Sequence, residues 1–434
     1  MGLEQAKVDI LVIGGGGREH ALVRALKASD RCGRILVAPG NGGTAQDAQN
    51  ISLEINNAAA VAACAVAEGI GLVVIGPEEP LVNGVADAVR DAGVACFGPS
   101  AAGARIEGSK VFAKQFMNRH NLPTGSWAAF EELGPALEYL YAQPLPVVVK
   151  ADGLAAGKGV TVAATYEEAE TALRECLEGR FGAAGLTVII EEALSGPECS
   201  LLAFTDGKRI LPMAPAQDHK RVGEGDTGPN TGGMGVYSPV PIVTAAEHAE
   251  MLDVMQRTVD GFAGEQIDYR GVLYGGFMLT ADGPQLLEFN ARFGDPETQV
   301  LLPRLQSDLL EVMLKVAAGD LGDTELEWSD QWALSVVLAS RGYPGSYITG
   351  YQITGIEQAE QLPGVIVYHA GTTCDVQGAL VTSGGRVLNV TACADSFAAA
   401  QQLAYQAAQR IEFEGKLMRH DIGSRALRGR EAWS

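Results

Sequence analysis

Within the first hundred residues, short apolar runs alternate with Ala/Leu-rich stretches, and glycine or proline cuts off each run. Residues 8–13 end in Gly14-Gly15-Gly16-Gly17, residues 34–37 in APGNGG, residues 72–75 in GPEEP, and residues 95–97 in GPS. Helical stretches fit between them, at 57–68 and from 78 to 92. Strand, tight turn, helix and strand in that order predict an open parallel sheet, with its ligand edge at the strand carboxyl ends. The turn at Gly14–Gly17 can offer backbone N–H groups to an anion. It is not a dinucleotide fingerprint, because the third glycine of G-x-G-x-x-G would fall at Glu19.

Composition narrows the class. A chain of 434 residues makes about three domains at the usual ~150 residues each. It is 47% hydrophobic and 20% charged, enough for proper cores. A net charge of -21 argues against nucleic acid or an anionic membrane as partner. Seven cysteines without a C-x-x-C predict reduced thiols rather than a disulfide framework or zinc site. No apolar run approaches the ~20 residues of a membrane span. The start has no basic signal region, and Ala6 spoils a myristoylation pattern. The expectation is a soluble, cytoplasmic protein.

The middle of the chain carries the chemistry. Gly108-Ser109-Lys110 opens a helix over 111–120. A strand at 146–150, ending in Lys150, runs through ADGLAAGKG into a second strand at 160–163. This is not a Walker A loop, since Asp152 stands where its first glycine belongs and Gly159 follows Lys158. A glycine-rich hairpin with lysines at its base and tip can fold over a triphosphate, its amides and ammonium groups offsetting the charge. The strand at 186–190 ends in Glu191-Glu192-Ala193-Leu194, whose backbone can pair with an adenine. Residues 217–235 form a long polar, glycine-rich loop with Asp218, Lys220 and Arg221, and loops of such length are commonly functional. Strands at 271–279 and 285–290 then make a hairpin. Alternation places Glu288, Asn290 and Arg292 on one side, with Leu287 and Phe289 pointing into the core. A carboxylate, an amide oxygen and a guanidinium in line suit a hard cation beside phosphate oxygens.

From Trp328 the chain reads as a separate domain: a strand at 335–339, another at 365–369, a hairpin turning at Gly384-Gly385, and a helix over 397–411. Its expected role is to wall the cleft, with His369 a hydrogen-bonded structural residue.

On these residues the chain resembles the phosphoribosylamine–glycine ligase family of the ATP-grasp superfamily. The matching stretches are GGGGREHAL, APGNGGTA, VIGPEEPLVNG, FGPS, EGSK, KADGLAAGKGV, QDHKRVGEGDTGPNTGGMGVYSP, EFNARFGDPETQ and HAGT. The resemblance implies an α/β chain in three parts: a Rossmann-like parallel sheet at 1–107, an ATP-grasp fold at 108–327 with its lid at about 126–196, and a small α+β domain at 328–434. It implies ATP-dependent joining of glycine to 5-phosphoribosylamine through an acyl phosphate, by a monomer. ATP would be held by Lys110, Lys150, Gly153, Ala156, Gly157, Lys158, Glu191, Glu192, Ala193, Leu194 and Glu198. Glu288 and Asn290 would ligate Mg²⁺ or Mn²⁺. Arg292 would stabilise the acyl phosphate, with Asp218 and Lys220 in the catalytic set. Gly15, Gly16, Gly17, Arg18, Glu19, Asn41, Pro77, Glu78, Asn230, Thr231, Gly232 and Asp295 would frame the substrates. Two departures stand out: the strand at 271–279 lacks the extra acid common in the superfamily, and Cys199 takes a position usually small, which implies packing. Three other readings stay open at this point: another carboxylate–amine ligase, a nicotinamide oxidoreductase, and a non-catalytic nucleotide-binding regulator.

Overall fold

The computed structural model describes residues 6–154, 159–179 and 186–426. Val8–Gly14 forms the middle of a five-stranded parallel sheet, with Cys32–Pro39 and Gln49–Asn50 on one side and Leu72–Ile75 and Ala95–Phe97 on the other. Ile10, Leu11, Val12 and Ile13 are fully buried because helices cover both faces. The strand order reverses at Val8–Gly14, so a crevice opens at its carboxyl end between Gly14–Gly17 and Gly76–Glu79. The single helix expected up to residue 92 is two, Glu78–Val82 and Val85–Asp91. Gly84 separates them at φ +77°, a conformation other residues adopt only with strain.

The central region has two antiparallel sheets. One runs Ile210–Pro212, Glu198–Thr205, Gly271–Thr280, Gly283–Asn290. The other, under the helices Leu133–Tyr141 and Tyr166–Leu177, runs Trp127–Phe130, Val188–Glu192, Val147–Ala151, Val160–Ala163. A parallel bridge, Thr124 to Leu286, stitches the two together beside the cleft.

The strand Gly283–Asn290 departs from simple alternation. Phe277 pairs with Leu286 and Gly276 with Glu288, so Leu287 is the extra residue of a β-bulge. Leu286 and Phe289 therefore enter the core, at 0% and 3% exposure, while Leu287 lines the cleft. The expectation that Leu287 faces the core is corrected by that bulge. Glu288 and Asn290 keep a common side, and Arg292 lies just beyond the strand.

The long loop at 217–235 is also more structured than its composition suggests. It holds the strand Gln217–Asp218 and a hairpin, Arg221–Gly223 against Thr227–Asn230. Gln217–Asp218 and Gly235–Ser238 join Trp332–Ser340, Arg386–Ala394 and Val365–His369 in one sheet, extended by Lys416–Leu417. The sheet thus draws strands from both sides of residue 328 and sets the loop's two ends on rigid ground. No helix among the described residues is long and apolar enough to cross a membrane.

Candidate active site

All three parts of the chain meet around one cavity of 690 Å³. One side of it is built where the sheet of Trp127–Phe130, Val188–Glu192, Val147–Ala151 and Val160–Ala163 meets the strand Gly283–Asn290. Met117, Val148, Met278, Leu287 and Leu194 make an apolar slot, and the strand end Glu191, Glu192, Ala193 borders it. A flat heterocycle fits such a slot, with backbone polar groups at its rim.

Next to the slot lies a cluster of ammonium groups. Lys150 Nζ is 2.9 Å and Lys114 Nζ 3.1 Å from Glu191 Oε2, and Lys110 Nζ donates to Gly153 O at 2.8 Å. Burial pulls the ammonium groups of Lys110 and Lys114 below their usual range, against the opposing pull of Glu288 on the first and Glu191 on the second. An arriving polyphosphate would supply the missing negative charge. The Glu191 side chain is therefore an anchor for two lysines, and its Oε1 has no hydrogen bond. The Glu192 carboxylate turns to the Ser126 hydroxyl and N–H at 3.2 Å, so only its backbone borders the slot. Ala156, Gly157 and Lys158 lie outside the described residues.

Glu288 and Asn290 follow along the strand. Lys220, then Lys150 and Lys110, push the Glu288 carboxyl down to about 2 against the opposing effect of burial. It is ionised at neutral pH. Two hard oxygen donors, one of them charged, fit Mg²⁺ or Mn²⁺ that draws its remaining ligands from phosphate and water. Among the described residues no group of three or more His, Cys, Asp or Glu could hold a metal alone. Lys220 Nζ sits 3.3 Å from Glu198 and 3.4 Å from Glu288. Burial works against its charge, but Glu198, Glu288 and Asp218 outweigh it and hold the ammonium well above its ordinary range.

Arg292 closes this line. Its Nη2 is 2.8 Å from Glu107 Oε1 and its Nε 3.4 Å from Glu78 Oε2. Burial opposes its charge, yet the two acids keep the guanidinium protonated. Asp218 and Glu297 also line the cavity, and among the described residues neither has a lysine or arginine within ion-pair distance. Burial, then Glu297, Glu198 and Glu288, pushes the Asp218 carboxyl up, while Lys220 opposes. Glu297 accepts from the Tyr274 hydroxyl at 3.1 Å. Two acids short of a cation suit an incoming ammonium group.

The C-terminal domain supplies Arg386 and Tyr343. Arg386 Nη2 is 3.2 Å from Asp295 Oδ2, and its Nη1 donates to Asp295 O and to Gly232 O. The Tyr343 hydroxyl accepts from Gly232 N–H at 3.0 Å. Asn230 borders the cavity beside Thr231, whose hydroxyl donates to Lys220 O at 2.8 Å and so shapes the loop.

Of the residues expected from the first domain, Arg18, Pro77 and Glu78 line the cavity. Gly15, Gly16, Gly17, Glu19 and Asn41 do not, and the Gly16 N–H and the side chains of Glu19 and Asn41 are engaged. Glu19 Oε2 accepts Gly16 N–H at 2.6 Å and Oε1 takes Arg18 Nε at 2.5 Å, so the anion-binding turn holds a carboxylate of its own. Asn41 Nδ2 donates to Gly15 O at 3.0 Å and His369 O at 2.7 Å, while its Oδ1 accepts from Gly43 and Thr44. These residues shape the crevice from behind. The His369 ring is buried and hydrogen-bonded, its Nδ1 3.1 Å from the Thr372 hydroxyl, and its backbone N–H donates to His20 Nδ1 at 2.8 Å. Cys199 is 2% exposed and its thiol is pushed up by burial, in keeping with packing.

Sequence reasoning missed Glu107, Lys114, Tyr274, Glu297, Tyr343 and Arg386. Glu107 and Glu297 sit inside stretches already singled out, EGSK and EFNARFGDPETQ, where a second acid was a visible signal. Arg386 and Tyr343 carry no local signal, since only the shared sheet brings them to the cleft.

Comparison with known proteins gives a consistent result. Models of the phosphoribosylglycinamide synthetase family match residues 8–107 (N domain), 108–298 (ATP-grasp (A) domain) and 333–425 (C domain). The phosphoribosylamine–glycine ligase of Yersinia pestis is 50% identical over 425 residues, covering 97% of this chain and 99% of the relative. That of Agrobacterium fabrum is 49% identical over 421 residues, with 97% and 99% covered. The crystal structure of phosphoribosylamine–glycine ligase from Thermotoga maritima superposes with a TM-score of 0.81 at 32% identity, covering 95% of this chain and all (100%) of that one. A biotin carboxylase from Campylobacter jejuni, at 14% identity and TM-score 0.75 over 94% and 92% of the two chains, shares the fold.

Proposed function

Because the chain belongs to the phosphoribosylglycinamide synthetase family, we propose that it joins glycine to 5-phosphoribosylamine at the expense of ATP, giving glycinamide ribonucleotide, ADP and phosphate. The observation that carries this reading is the set of groups gathered in one cavity: lysines, Glu288 with Asn290, Arg292, and the acids Asp218 and Glu297. That set matches what a triphosphate, a carboxylate and an amine need in one reaction.

The adenine enters the slot beside Glu192, Ala193 and Leu194, with Glu198 near the ribose. Lys110 and Lys150, with Gly153 and the lid residues Ala156, Gly157 and Lys158, hold the phosphates. Glu288 and Asn290 would hold a divalent cation, Mg²⁺ or Mn²⁺, which would supply positive charge against that of the phosphates. Asp218 and Glu297 bind the glycine ammonium. The glycine carboxylate then attacks the γ-phosphorus; the bond to the β-phosphate breaks, ADP is the leaving group, and glycyl phosphate forms. Arg292, charged and fixed, stabilises the phosphoryl group as its oxygens gain charge. The amine of phosphoribosylamine enters from the crevice of the first domain, past Arg18, Pro77 and Glu78. It displaces phosphate beside Asn230, Gly232 and Asp295, which Lys220, Thr231 and Arg386 hold in place. The chain supplies positioning and charge, and the chemistry needs little acid–base help.

Incubating the protein with ATP, Mg²⁺ and glycine, with and without phosphoribosylamine, tests the reading. Sustained phosphate release that requires both substrates is expected. Turnover with another amine or acid in preference to these would redirect the assignment within the superfamily. Hydride transfer to a nicotinamide, or no turnover at all, would refute it.

A further inference from the structure

The run EGSK contributes Lys110 through the helix it opens, which leaves Glu107 without a role in the reaction as described. Glu107 is the penultimate residue of the helix Ala101–Gly108, a helix anchored at its start by Ser100, whose hydroxyl donates to Asp268 O at 2.7 Å. Its side chain is 7% exposed. An ionised carboxylate so far from water is costly unless its partners compensate. It has two. Oε2 accepts the Ala291 N–H at 2.7 Å, and Oε1 lies 2.8 Å from Arg292 Nη2. One carboxylate thus grips the backbone just after Asn290 and the guanidinium of the following residue.

The remaining contacts of Arg292 are weaker. Nη2 is 3.3 Å from Asn290 Oδ1, Nη1 is 3.2 Å from Phe293 O, and Nε, 3.4 Å from Glu78, makes no hydrogen bond. A guanidinium is a rigid planar fork, so fixing one edge and the adjacent main chain fixes the direction of the rest.

We propose that Glu107 is a positioning residue that acts through Arg292, holding its guanidinium toward the transferring phosphoryl group and away from collapse onto Glu78. The proposal rests on the role given to Arg292 above. Glu107 borders the cavity, but its two carboxylate oxygens are taken by the Ala291 N–H and by Arg292. Its effect is on the chemical step and not on nucleotide affinity, because it acts on Arg292 and on none of the lysines beside the slot.

A double-mutant cycle tests this, with steady-state kinetics for Glu107→Gln, Arg292→Lys and the pair. Glutamine keeps an oxygen for the Ala291 N–H while losing the charge facing Arg292. Glu107→Gln should lower kcat at least about tenfold and leave the KM for ATP within about twofold. In the Arg292→Lys background the same change should cost less than about twofold more, since residues acting as a unit are not additive. Equal losses in both backgrounds, or a kcat for Glu107→Gln close to that of the unaltered protein, would overturn the proposal. A near-normal Arg292→Lys would overturn the role of Arg292 and this proposal with it, leaving the two-substrate phosphate release intact. Should Glu107→Gln not fold, Glu107→Asp, which keeps the charge at shorter reach, carries the same cycle with the same two outcomes.

Discussion

At the scale of single residues the site is a set of charges placed in sequence, and each can be removed separately. Glu288 is kept ionised by Lys220, Lys150 and Lys110, so Glu288→Ala leaves three cations facing one another and no charged metal ligand. Turnover should fall by at least about a thousandfold, while thermal unfolding shows the fold retained; near-normal activity would remove Glu288 from the metal site. Asp218 stands where the ammonium of glycine is expected. Asp218→Asn should raise the KM for glycine about tenfold or more and leave that for ATP within about twofold, because only the amino acid loses an acidic partner. Equal effects on both would place Asp218 elsewhere in the cycle. The spacing of Glu288, Asn290 and Arg292 was legible because alternation along a strand is a strong signal. The facing of Leu287 was not, since a bulge depends on the partner strand, Gly271–Thr280, and Leu286-Leu287 offers two equally apolar residues for one core position.

Among the elements, the hairpin formed by Arg221–Gly223 and Thr227–Asn230 is the least self-sufficient. It links Lys220 to Thr231 and has few apolar contacts of its own. Arg419, 1% exposed, straps it down: Nη1 donates to Arg221 O and pairs with Asp226, each at 2.9 Å, while Asp421 receives the other edge of the fork. Gly225 N–H in turn donates to Asp421 at 2.8 Å. Asp226→Ala loosens this strap at its exposed end without opening the core. It should raise the KM for glycine and for phosphoribosylamine about threefold to tenfold and leave ATP affinity unchanged. An effect confined to ATP would contradict the assignment of the hairpin. The strands of the first hundred residues could be read from apolar runs because they are buried on both faces. The hairpin could not, because glycine and polar residues dominate it and its stability comes from a segment some two hundred positions later.

For the whole molecule, the contacts between the parts depend on neutral histidines. His20 Nδ1 accepts the His369 backbone N–H at 2.8 Å, joining the first domain to the last, and His219 Nε2 accepts Gly423 N–H at 3.1 Å, joining the loop at 217–235 to the C-terminal segment. Burial, with Arg24 adding and Asp47 opposing, pulls the His20 imidazole below its ordinary range; burial and Arg419 push that of His219 down to about 3. In the unfolded chain both titrate near 6.5. The unfolded state therefore binds more protons below that value, so stability is full above it and drains away as pH falls, for His219 toward about 3. Each histidine contributes a slope of up to about 1.4 kcal/mol per pH unit. Denaturant midpoints should drop between pH ~7.5 and ~5, and His219→Gln should flatten that drop; an unchanged midpoint would mean that these imidazoles are protonated in the fold. The parallel sheet of the first hundred residues was readable from apolar runs and turn signals. The sheet that shares strands across residue 328, and with it the placement of Arg386 and Tyr343, was not, because long-range strand pairing leaves no local mark.

The account depends most on one cation lying between the phosphates and the pair Glu288 and Asn290. Crystals grown with Mn²⁺, a non-hydrolysable ATP analogue and glycine, examined by anomalous diffraction at the manganese edge, measure its position directly. A peak bonded to Glu288 and Asn290 oxygens, with the analogue's phosphates on its other side and Arg292 facing the terminal one, is the predicted result. Manganese bound away from both residues, with the nucleotide outside the slot lined by Leu287 and Met278, would contradict it.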